Sequence, residues 1–325
     1  MADTALLTVA IPTFNRSAHV VPEVAALRAA SLPAGIEVLV VDDASDDGTF
    51  DALAADVSGS GFRILRNETN LGYARNVLRL FEACETPYLL ISSDDDHVET
   101  ATLGPLLALL ASETPSFVSS QLLDGGELRR GRGVVGPIEP RDVFAASSHA
   151  PGLVYKVADA ASALAELTEL LEQGDDAAWV YPQVVVASSL LGHGRGMWFD
   201  HACVTSGARL PSGIRDSTDE RWDSLPSRWR QAQGFLSLYR RRLDTEPDPA
   251  VRSRFAAMLA EEEARLFGFL RFGLAAERPE LLEVFDDGAR RFTERRRPTF
   301  WARRFLRAPR ATIVELRRRL DEARR

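Results

Sequence analysis

The segment "YLLISSDDDHV" (residues 88–98) joins an apolar run to three consecutive aspartates, Asp94, Asp95 and Asp96. The apolar run has the length and composition of a buried β-strand. Two carboxylates about 6 Å apart repel by roughly 3 kcal/mol at an effective dielectric constant of about 20, so three acids at a strand end are unfavourable without a positive partner. The segment therefore indicates a cation site, and a divalent metal ion is the simplest cation for it.

Three shorter apolar runs precede this segment, at residues 6–11, 36–41 and 62–66, and helical patterns separate them. The first run is expected to end at Pro12, because proline removes a backbone donor. Strands that alternate with helices in this way predict an α/β fold with a mostly parallel sheet and helices on both of its faces. Ligands of such sheets bind beyond the carboxyl ends of the strands.

Polar residues follow each of the four predicted strands. They are Thr13, Asn15 and Arg16 after the first, Asp42 and Asp43 after the second, Arg66 and Asn67 after the third, and the three aspartates after the fourth. Loops are polar in any fold, but carboxylates, amides and arginines on four loops of one array favour a binding site at this edge of the sheet.

The composition limits the class of protein. The chain has 325 residues, of which 45% are hydrophobic and 26% charged, as is typical of a globular protein with one large domain or two fused ones. No apolar run approaches the roughly 20 residues of a membrane helix, and Met1 begins no signal peptide. Cys84 and Cys203, the only cysteines, cannot build a disulfide framework or a thiolate zinc site. We therefore expect a cytoplasmic protein.

Two kinds of nucleotide-binding loop are excluded by the sequence. Lys156 is the only lysine and does not follow the glycines of a Walker A loop. Gly131, Gly133 and Gly136 spell G-x-G-x-x-G, but no strand leads into them and a proline follows at once. We interpret this match as a coincidence within a connecting loop over residues 124–150.

The C-terminal segment differs in charge from the rest of the chain. From Ala289 onward it carries 14 Arg against four acidic residues, although the net charge of the whole chain is −8. Phe300, Trp301 and Phe305 can share one helical face between arginines, which is the composition of a helix attracted to anionic lipid. This basic tail predicts either peripheral contact with the inner membrane face or packing on the chain's own acidic body. Nucleic acid binding is not expected, because the acidic body would repel it.

Four blocks carry a resemblance to a known family: "VAIPTFNRS" (9–17), "VLVVDDASDDGT" (38–49), "NETNLGYARNVL" (67–78) and "YLLISSDDDHV". In this order and spacing they resemble the donor-binding half of family-2 inverting glycosyltransferases of the GT-A fold. The resemblance covers about residues 6–125. It implies a Rossmann-like sheet, followed here by a helical C-terminal extension, and transfer of a sugar from a nucleotide diphosphate sugar to an acceptor hydroxyl with inversion.

The resemblance also implies how the chain is divided. Residues 1–125 would bind the donor, residues 126–245 would form the acceptor and catalytic half, and residues 246–325 would form the helical extension with the basic tail. The Q-x-x-R-W motif of processive synthases is absent, since Trp229 lies in "PSRWRQ" without the preceding glutamine. We therefore expect a non-processive enzyme.

The family roles can be placed on individual residues. Asp96, with Asp94, would hold Mg²⁺ or Mn²⁺, which prefer oxygen ligands and would bridge the diphosphate. Asp94 and Asp96 share one face if the segment stays extended, and Asp94 or Asp95 would contact the sugar or ribose. The remaining donor-binding candidates are Pro12, Thr13 and Asn15 around the base and ribose, Asp42 on the imide N–H of the base, and Arg75 on the phosphates. A carboxylate at residue 42 can only accept a hydrogen bond from the base, which favours UDP or dTDP sugars without excluding GDP sugars. Asp47 is expected to cap the next helix.

Inverting transfer also needs a base for the acceptor hydroxyl. Asp175 and Asp176 in "EQGDDAAW" follow Asp96 by 79 and 80 residues, where the family places an acid at a helix start. The usual Glu-Asp pair is replaced by Asp-Asp, and Asp176 could equally be an N-cap. His149 and Asp200 are weaker candidates.

The sequence leaves two other functions open. A sugar nucleotidyltransferase is also α/β, although "IPTFNRS" lacks the glycine-rich loop that would hold a triphosphate. A non-catalytic nucleotide-sugar binding module would keep the donor site and lack the base. The sugar and the acceptor are undetermined as well, and a glycan, a lipid-linked glycan or a small molecule is compatible with the sequence.

Overall fold

The structure is a computed structural model and describes residues 5–55, 61–207 and 214–277. The strands are Leu7–Thr13 (β1), Ile36–Asp42 (β2), Phe62–Arg66 (β3), Tyr88–Ile91 (β4), His97–Val98 (β5), Phe117–Asp124 (β6), Glu127–Arg130 (β7), Gly136–Pro137 (β8), Leu153–Lys156 (β9) and Gly196–Thr205 (β10). The helices are Ser17–Ala29 (α1), Thr49–Ala55 (α2), Tyr73–Ala83 (α3), Thr100–Glu113 (α4), Val143–Ser147 (α5), Val157–Glu172 (α6), Asp176–Val180 (α7), Pro182–His193 (α8), Leu225–Thr245 (α9) and Pro249–Glu277 (α10), with a 3₁₀ turn at Pro140–Asp142.

The strands form one sheet in the order β3-β2-β1-β4-β9-β6-β10-β5, with β7 beside β6 and β8 beside β10. The first four strands pair in parallel, as do β6 and β10. Strand β9 lies antiparallel between β4 and β6. The predicted α/β fold with a Rossmann-like first half is thus confirmed, and β9 joins its two parallel parts.

Helices cover both faces of the sheet, because successive side chains of a strand point to opposite faces and nearly all of them are buried. Leu90 belongs to the core that includes Val24 of α1 and Leu106 of α4. On the opposite face, Tyr155 of β9 packs edge-on against Phe81 of α3, with ring centroids 5.2 Å apart. Between the two layers of helices, the carboxyl ends of the parallel strands β1 to β4 lie at one edge of the sheet.

Strand β1 continues through Pro12, so the prediction that it ends there is wrong. Its partner β2 is in register as far as Thr13. The Ala10 carbonyl accepts from Ser92 N on the β4 side, and Ala10 is the last residue of β1 paired with β4. Successive residues of a strand direct their N–H groups to opposite neighbouring strands, so residue 12 faces the same side as residue 10, toward β4. The pairing of β1 with β4 ends at Ala10, and the N–H that Pro12 lacks therefore removes no hydrogen bond between these strands.

The segment 124–150, predicted to be a connecting loop, contains regular structure. Gly125 and Gly126 have φ of 58° and 83° and form the turn between β6 and β7. Arg130 of β7 is buried and donates to the backbone carbonyl oxygens of Ser120 and His149. The charged sequence "ELRR" concealed this hairpin, because a buried arginine does not follow the usual alternation of apolar and polar residues.

The run "AAWVYPQVVVASSLLG" forms two helices. Pro182 occupies the first turn of α8, where a proline is well tolerated. Tyr181 leaves the helical region, with φ −129° and ψ 54°, because a residue before proline disfavours the α conformation. The break orients α7 independently of α8.

The chain divides between Glu220 and Arg221 into two compact units. In the second unit, α9 and α10 pack against each other through buried aromatic residues that include Phe235 and Phe255. None of the described helices has the length and apolar composition that crossing a membrane requires. The basic tail from Ala289 lies outside the described residues, and the functional division of the chain stays a prediction.

Candidate active site

The ends of the first four strands meet in one hydrogen-bonded network. Asp43 N donates to the Thr13 carbonyl oxygen and Asn67 N to the Asp42 carbonyl oxygen, each at 2.9 Å. Thr13 Oγ1 donates to Asp94 Oδ2 at 2.9 Å, which connects the end of β1 to the loop after β4. The polar residues predicted at this edge of the sheet therefore lie together.

The three aspartates form a turn, so the condition under which Asp94 and Asp96 would share one face of an extended segment is not met. Asp96 N donates to the Ser93 carbonyl oxygen at 3.4 Å and Ser93 Oγ donates to Asp95 Oδ1 at 2.8 Å. Asp94 is held from β1 through the Thr13 hydroxyl. Asp96 Oδ1 accepts from Gly207 N at 3.2 Å, just after β10. The turn is fixed from both halves of the sheet.

Burial makes two of these carboxylates costly to ionise. Burial raises the pKa of Asp94 to about 6, and the charge of Asp95 adds to this effect while the Thr13 hydroxyl opposes it. Burial likewise raises the pKa of Asp96 to about 6, against the hydrogen bond from Gly207 N. A cation bound between these two side chains would remove the cost of ionisation.

The carboxylates of Asp94 and Asp96 suit a divalent cation that also binds the phosphates of a substrate. Among the described residues, no three His, Cys, Asp or Glu side chains come together as a ready-made metal site. Mg²⁺ commonly takes only one or two carboxylates and completes its coordination with water and substrate phosphates. Asp94 and Asp96 are two partly buried carboxylates of the kind that such a site uses, and their role as ligands stays a prediction.

Gly207 is a site residue that sequence reasoning missed. A Cβ atom there would overlap the backbone carbonyl oxygen of Asp95, so any larger residue would displace the turn. A glycine after a strand is a weak signal. It becomes informative only because the fold places the end of β10 beside residues 94–96.

Asp42, the predicted base-binding residue, is completely buried and already has partners. It accepts hydrogen bonds from Ser45 N at 3.1 Å and from Ser45 Oγ. Arg66 Nε lies 3.5 Å from Asp42 Oδ2 and Arg66 Nη2 donates to the Ser45 carbonyl oxygen at 2.7 Å. A nucleobase could reach this carboxylate only by displacing the Ser45 hydroxyl, so the role of Asp42 stays a prediction.

Two neighbouring aspartates have structural roles. Asp43 is buried and accepts from Asn67 Nδ2, Leu71 N and Gly72 N at 2.8, 2.9 and 2.9 Å, which fixes the loop between β3 and α3. Asp47 accepts from Thr49 N at 3.0 Å, which confirms the predicted cap of α2. It also accepts from Ser17 N at the start of α1, at 3.1 Å.

The turn after β1 is braced by Asn15. Its φ is +53°, an unfavourable value that asparagine tolerates better than most residues. Asn15 N donates to Ser45 Oγ at 2.8 Å and Asn15 Oδ1 accepts from Asp46 N at 2.9 Å. Beside it, Phe14 is 42% exposed. An exposed aromatic ring in this turn is a candidate surface for a base, although sequence reasoning singled out only its polar neighbours.

Arg75 lies at the start of α3, where its guanidinium carbon is 5.2 Å from the ring centroid of Trp179. Trp179 belongs to α7, the helix that follows the candidate bases. Arg75 thus connects the donor half to α7. Its contact with phosphate stays a prediction.

The two candidate bases occupy different positions at the start of α7. Asp175 Oδ1 accepts from Ala177 N at 2.9 Å and Ala178 N at 3.1 Å, so Asp175 is the N-cap and Asp176 is not. Asp176 is buried and its Oδ1 accepts from Ser217 N at 3.0 Å and from Ser217 Oγ. Of the weaker candidates, Asp200 Oδ1 lies 2.7 Å from Nδ1 of the adjacent His201.

Comparisons with known proteins concern the family and the fold of the chain. Residues 8–135 match the family model described as glycosyl transferase family 2. No curated protein matches the chain.

Among solved structures, the chain is similar to S. aureus TarS 1-349 in complex with UDP-GlcNAc. The two share 16% sequence identity with a TM-score of 0.62, and the match covers 87% of this chain and 79% of that chain. The same protein in complex with UDP gives 17% identity and a TM-score of 0.60, with 84% and 75% covered. Mannosyltransferase PcManGT from Pyrobaculum calidifontis, in complex with GDP-Man and Mn²⁺, gives 18% identity and a TM-score of 0.50, with 96% and 87% covered.

At these identities the structural likeness shows the fold, and the family follows from the sequence match. That match spans β1 to β7 and contains Thr13, Asp42 and the three aspartates after β4. Residues 8–135 of the chain belong to glycosyl transferase family 2, in a domain with the GT-A fold.

Proposed function

We propose that the chain transfers one sugar at a time from a nucleotide diphosphate sugar to an acceptor hydroxyl, with inversion and with the help of a divalent cation. The observation that carries the proposal is the hydrogen-bonded network at the carboxyl edge of β1 to β4, which joins Thr13 to Asp94 within the family-2 domain. The solved complexes of similar fold contain UDP-GlcNAc, UDP and GDP-Man, which supports a nucleotide sugar as the donor.

The donor would lie across the ends of these strands. The turn of Pro12, Thr13 and Asn15, with the exposed ring of Phe14, would line the base and ribose. Asp42 would accept from the imide N–H of the base once the Ser45 hydroxyl rotates away. UDP and dTDP donors fit this acceptor best.

The phosphates would lie closer to the aspartate turn. Asp96 and Asp94 would hold Mg²⁺ or Mn²⁺, and Asp95 would contact the sugar. When bound, the cation would supply charge neutralisation for the departing diphosphate. Arg75, at the start of α3, could turn from Trp179 toward the same phosphates and add a second positive charge.

Asp176 is the better candidate for the base, because Asp175 already serves as the cap of α7. Its carboxylate would take the proton of the acceptor hydroxyl at Oδ2, since Ser217 donates two hydrogen bonds to Oδ1. Proton removal by a fixed carboxylate raises the nucleophilicity of the acceptor oxygen as it attacks the anomeric carbon. Asp175 would act indirectly, by holding the first turn of α7 in place.

Thermal stability in the presence of a panel of ligands tests this proposal. UDP-, dTDP- and GDP-sugars should raise the melting temperature of the full chain in the presence of Mn²⁺ and should fail to do so in EDTA. Stabilisation by a sugar 1-phosphate together with a nucleoside triphosphate, but by no nucleotide sugar, would favour a nucleotidyltransferase. Binding without any turnover would favour a non-catalytic binding module.

A further inference from the structure

Ser217 donates hydrogen bonds to the candidate base, although it lies 41 positions further along the chain. Its backbone N donates to Asp176 Oδ1 at 3.0 Å and its hydroxyl donates to the same oxygen. Asp176 itself is only 4% exposed, whereas Ser217 is exposed. The serine therefore covers one oxygen of the carboxylate from the outside of the molecule.

The loop around Ser217 is organised by its own hydrogen bonds. Asp216 is buried, and its Oδ1 accepts from Thr218 N at 2.9 Å, Thr218 Oγ1 at 2.8 Å and Glu220 N at 3.0 Å. Asp216 N also donates to the Glu220 carbonyl oxygen at 2.9 Å, and Asp219 has φ of +62°. Such a loop holds its shape without help from Asp176, so Ser217 presents both donors in a fixed direction.

The loop around Ser217 lies against the residues that precede α7. Gly174, two residues before Asp176, has φ of +70°, and a Cβ atom there would be in ordinary van der Waals contact with the Cβ of Ser217, at 3.8 Å. Asp175 fixes the first turn of α7 by capping it. The capped start of α7 thus holds the backbone of Asp176, and the Ser217 hydrogen bonds act on its carboxylate.

We propose that Ser217 is a positioning residue for catalysis: its two hydrogen bonds fix Asp176 Oδ1 so that Oδ2 receives the acceptor proton. This inference rests on the proposed function, since it needs Asp176 to be the base. The physical reason is that a general base removes a proton only from within hydrogen-bond distance of it. A carboxylate that is held in one orientation keeps its oxygen at that distance from the acceptor hydroxyl. Hydrogen bonds to a charged group are strong enough to prevent that rotation.

The test compares the full chain with Ser217→Ala, Ser217→Thr and Ser112→Ala. Ser112→Ala is the matched control, because it removes the hydroxyl of an exposed serine that bonds to the Leu109 carbonyl oxygen within α4, away from the loop around Ser217. The probe is the nucleotide sugar of the panel that gives the largest thermal shift, with Mn²⁺ and with water as acceptor, followed as release of nucleoside diphosphate. We expect Ser217→Ala to lower kcat by about 10-fold with the donor KM unchanged, and to lower the melting temperature by a few degrees because one hydrogen bond to a buried carboxylate is lost. Ser217→Thr should restore most of kcat, and Ser112→Ala should keep it.

The kcat of Asp176→Asn, measured in the same assay, separates the base role of Asp176 from the positioning role of Ser217. If Asp176→Asn abolishes turnover while Ser217→Ala keeps normal kcat, the positioning role is wrong and the base assignment stands. A faster Ser217→Ala enzyme would also overturn the positioning role, since Ser217 would then only be covering the base. If Asp176→Asn itself turns over normally, the base assignment fails and the positioning role fails with it.

Discussion

Replacing Asp96 with asparagine should abolish turnover and yet stabilise the metal-free protein. The carboxylate is partly buried, and its pKa is raised from 3.8 to about 6 by that burial. A change of this size corresponds to ~3 kcal/mol of unfavourable ionisation at neutral pH. Because the side chain is partly exposed, solvent screening reduces the expected gain to ~1 kcal/mol, or about 3 °C in melting temperature. An asparagine oxygen can still accept from Gly207 N, so little is lost in exchange.

The pH dependence of this gain has a definite sign. The folded pKa of Asp96 exceeds the unfolded value, so the native state loses stability as pH rises through about 6. The advantage of Asp96→Asn should therefore be complete at pH 7.5 and should fall by about half at pH 5. Added Mn²⁺ with UDP should stabilise the wild-type chain and leave the variant unchanged.

Differential scanning fluorimetry in EDTA, repeated with Mn²⁺ and UDP, provides the measurement. A variant that melts several degrees below wild type at pH 7.5 would contradict the reasoning, because Asp96 would then be a stabilising residue. An advantage that grows as the pH falls would contradict it as well.

Three further predictions concern other acids and the tail. Asp43→Ala should cost about 3–5 kcal/mol of stability in urea unfolding, because Asn67 Nδ2, Leu71 N and Gly72 N lose their shared acceptor. A loss under about 1 kcal/mol would refute the structural role of Asp43. Asp176→Ala should lower turnover about 10²-fold with donor binding kept, whereas Asp175→Ala should mainly lose about 1 kcal/mol of helix capping; the reverse pattern in kinetics and melting would make Asp175 the base. If the tail binds membranes, the full chain should co-sediment with anionic vesicles at low salt while a chain ending at Gly288 should not, and equal behaviour of the two would remove the membrane role.

The sequence predicted the first half of the fold closely because its signals are local. The strand at residues 62–66 is found at Phe62–Arg66, and the helical pattern before it is found as α2, Thr49–Ala55. Buried parallel strands are continuous apolar runs, and polar residues mark their ends. The pattern of residues along the chain was therefore enough to identify the edge of the sheet at which the candidate site lies.

The details that the sequence did not predict depend on contacts between distant residues. The aspartate turn is fixed by Gly207, and Asp176 by Ser217, and neither partner is marked by any motif. Proximity of this kind follows from the order of strands in the sheet, in which β9 and β10 return beside earlier elements. Buried Arg130 was hidden for a related reason, since its partners are backbone carbonyl groups, which a sequence pattern does not display.

Release of nucleoside diphosphate from a nucleotide sugar tests the central claim most directly. The full chain and Asp96→Asn would be incubated with UDP-, dTDP- and GDP-sugars, each with Mn²⁺ and with EDTA. The proposal predicts release from at least one donor with Mn²⁺, none in EDTA, and less than about a tenth of the wild-type rate in the variant. Release that is equally fast in EDTA, or that persists in Asp96→Asn, would contradict a cation held by the aspartates after β4.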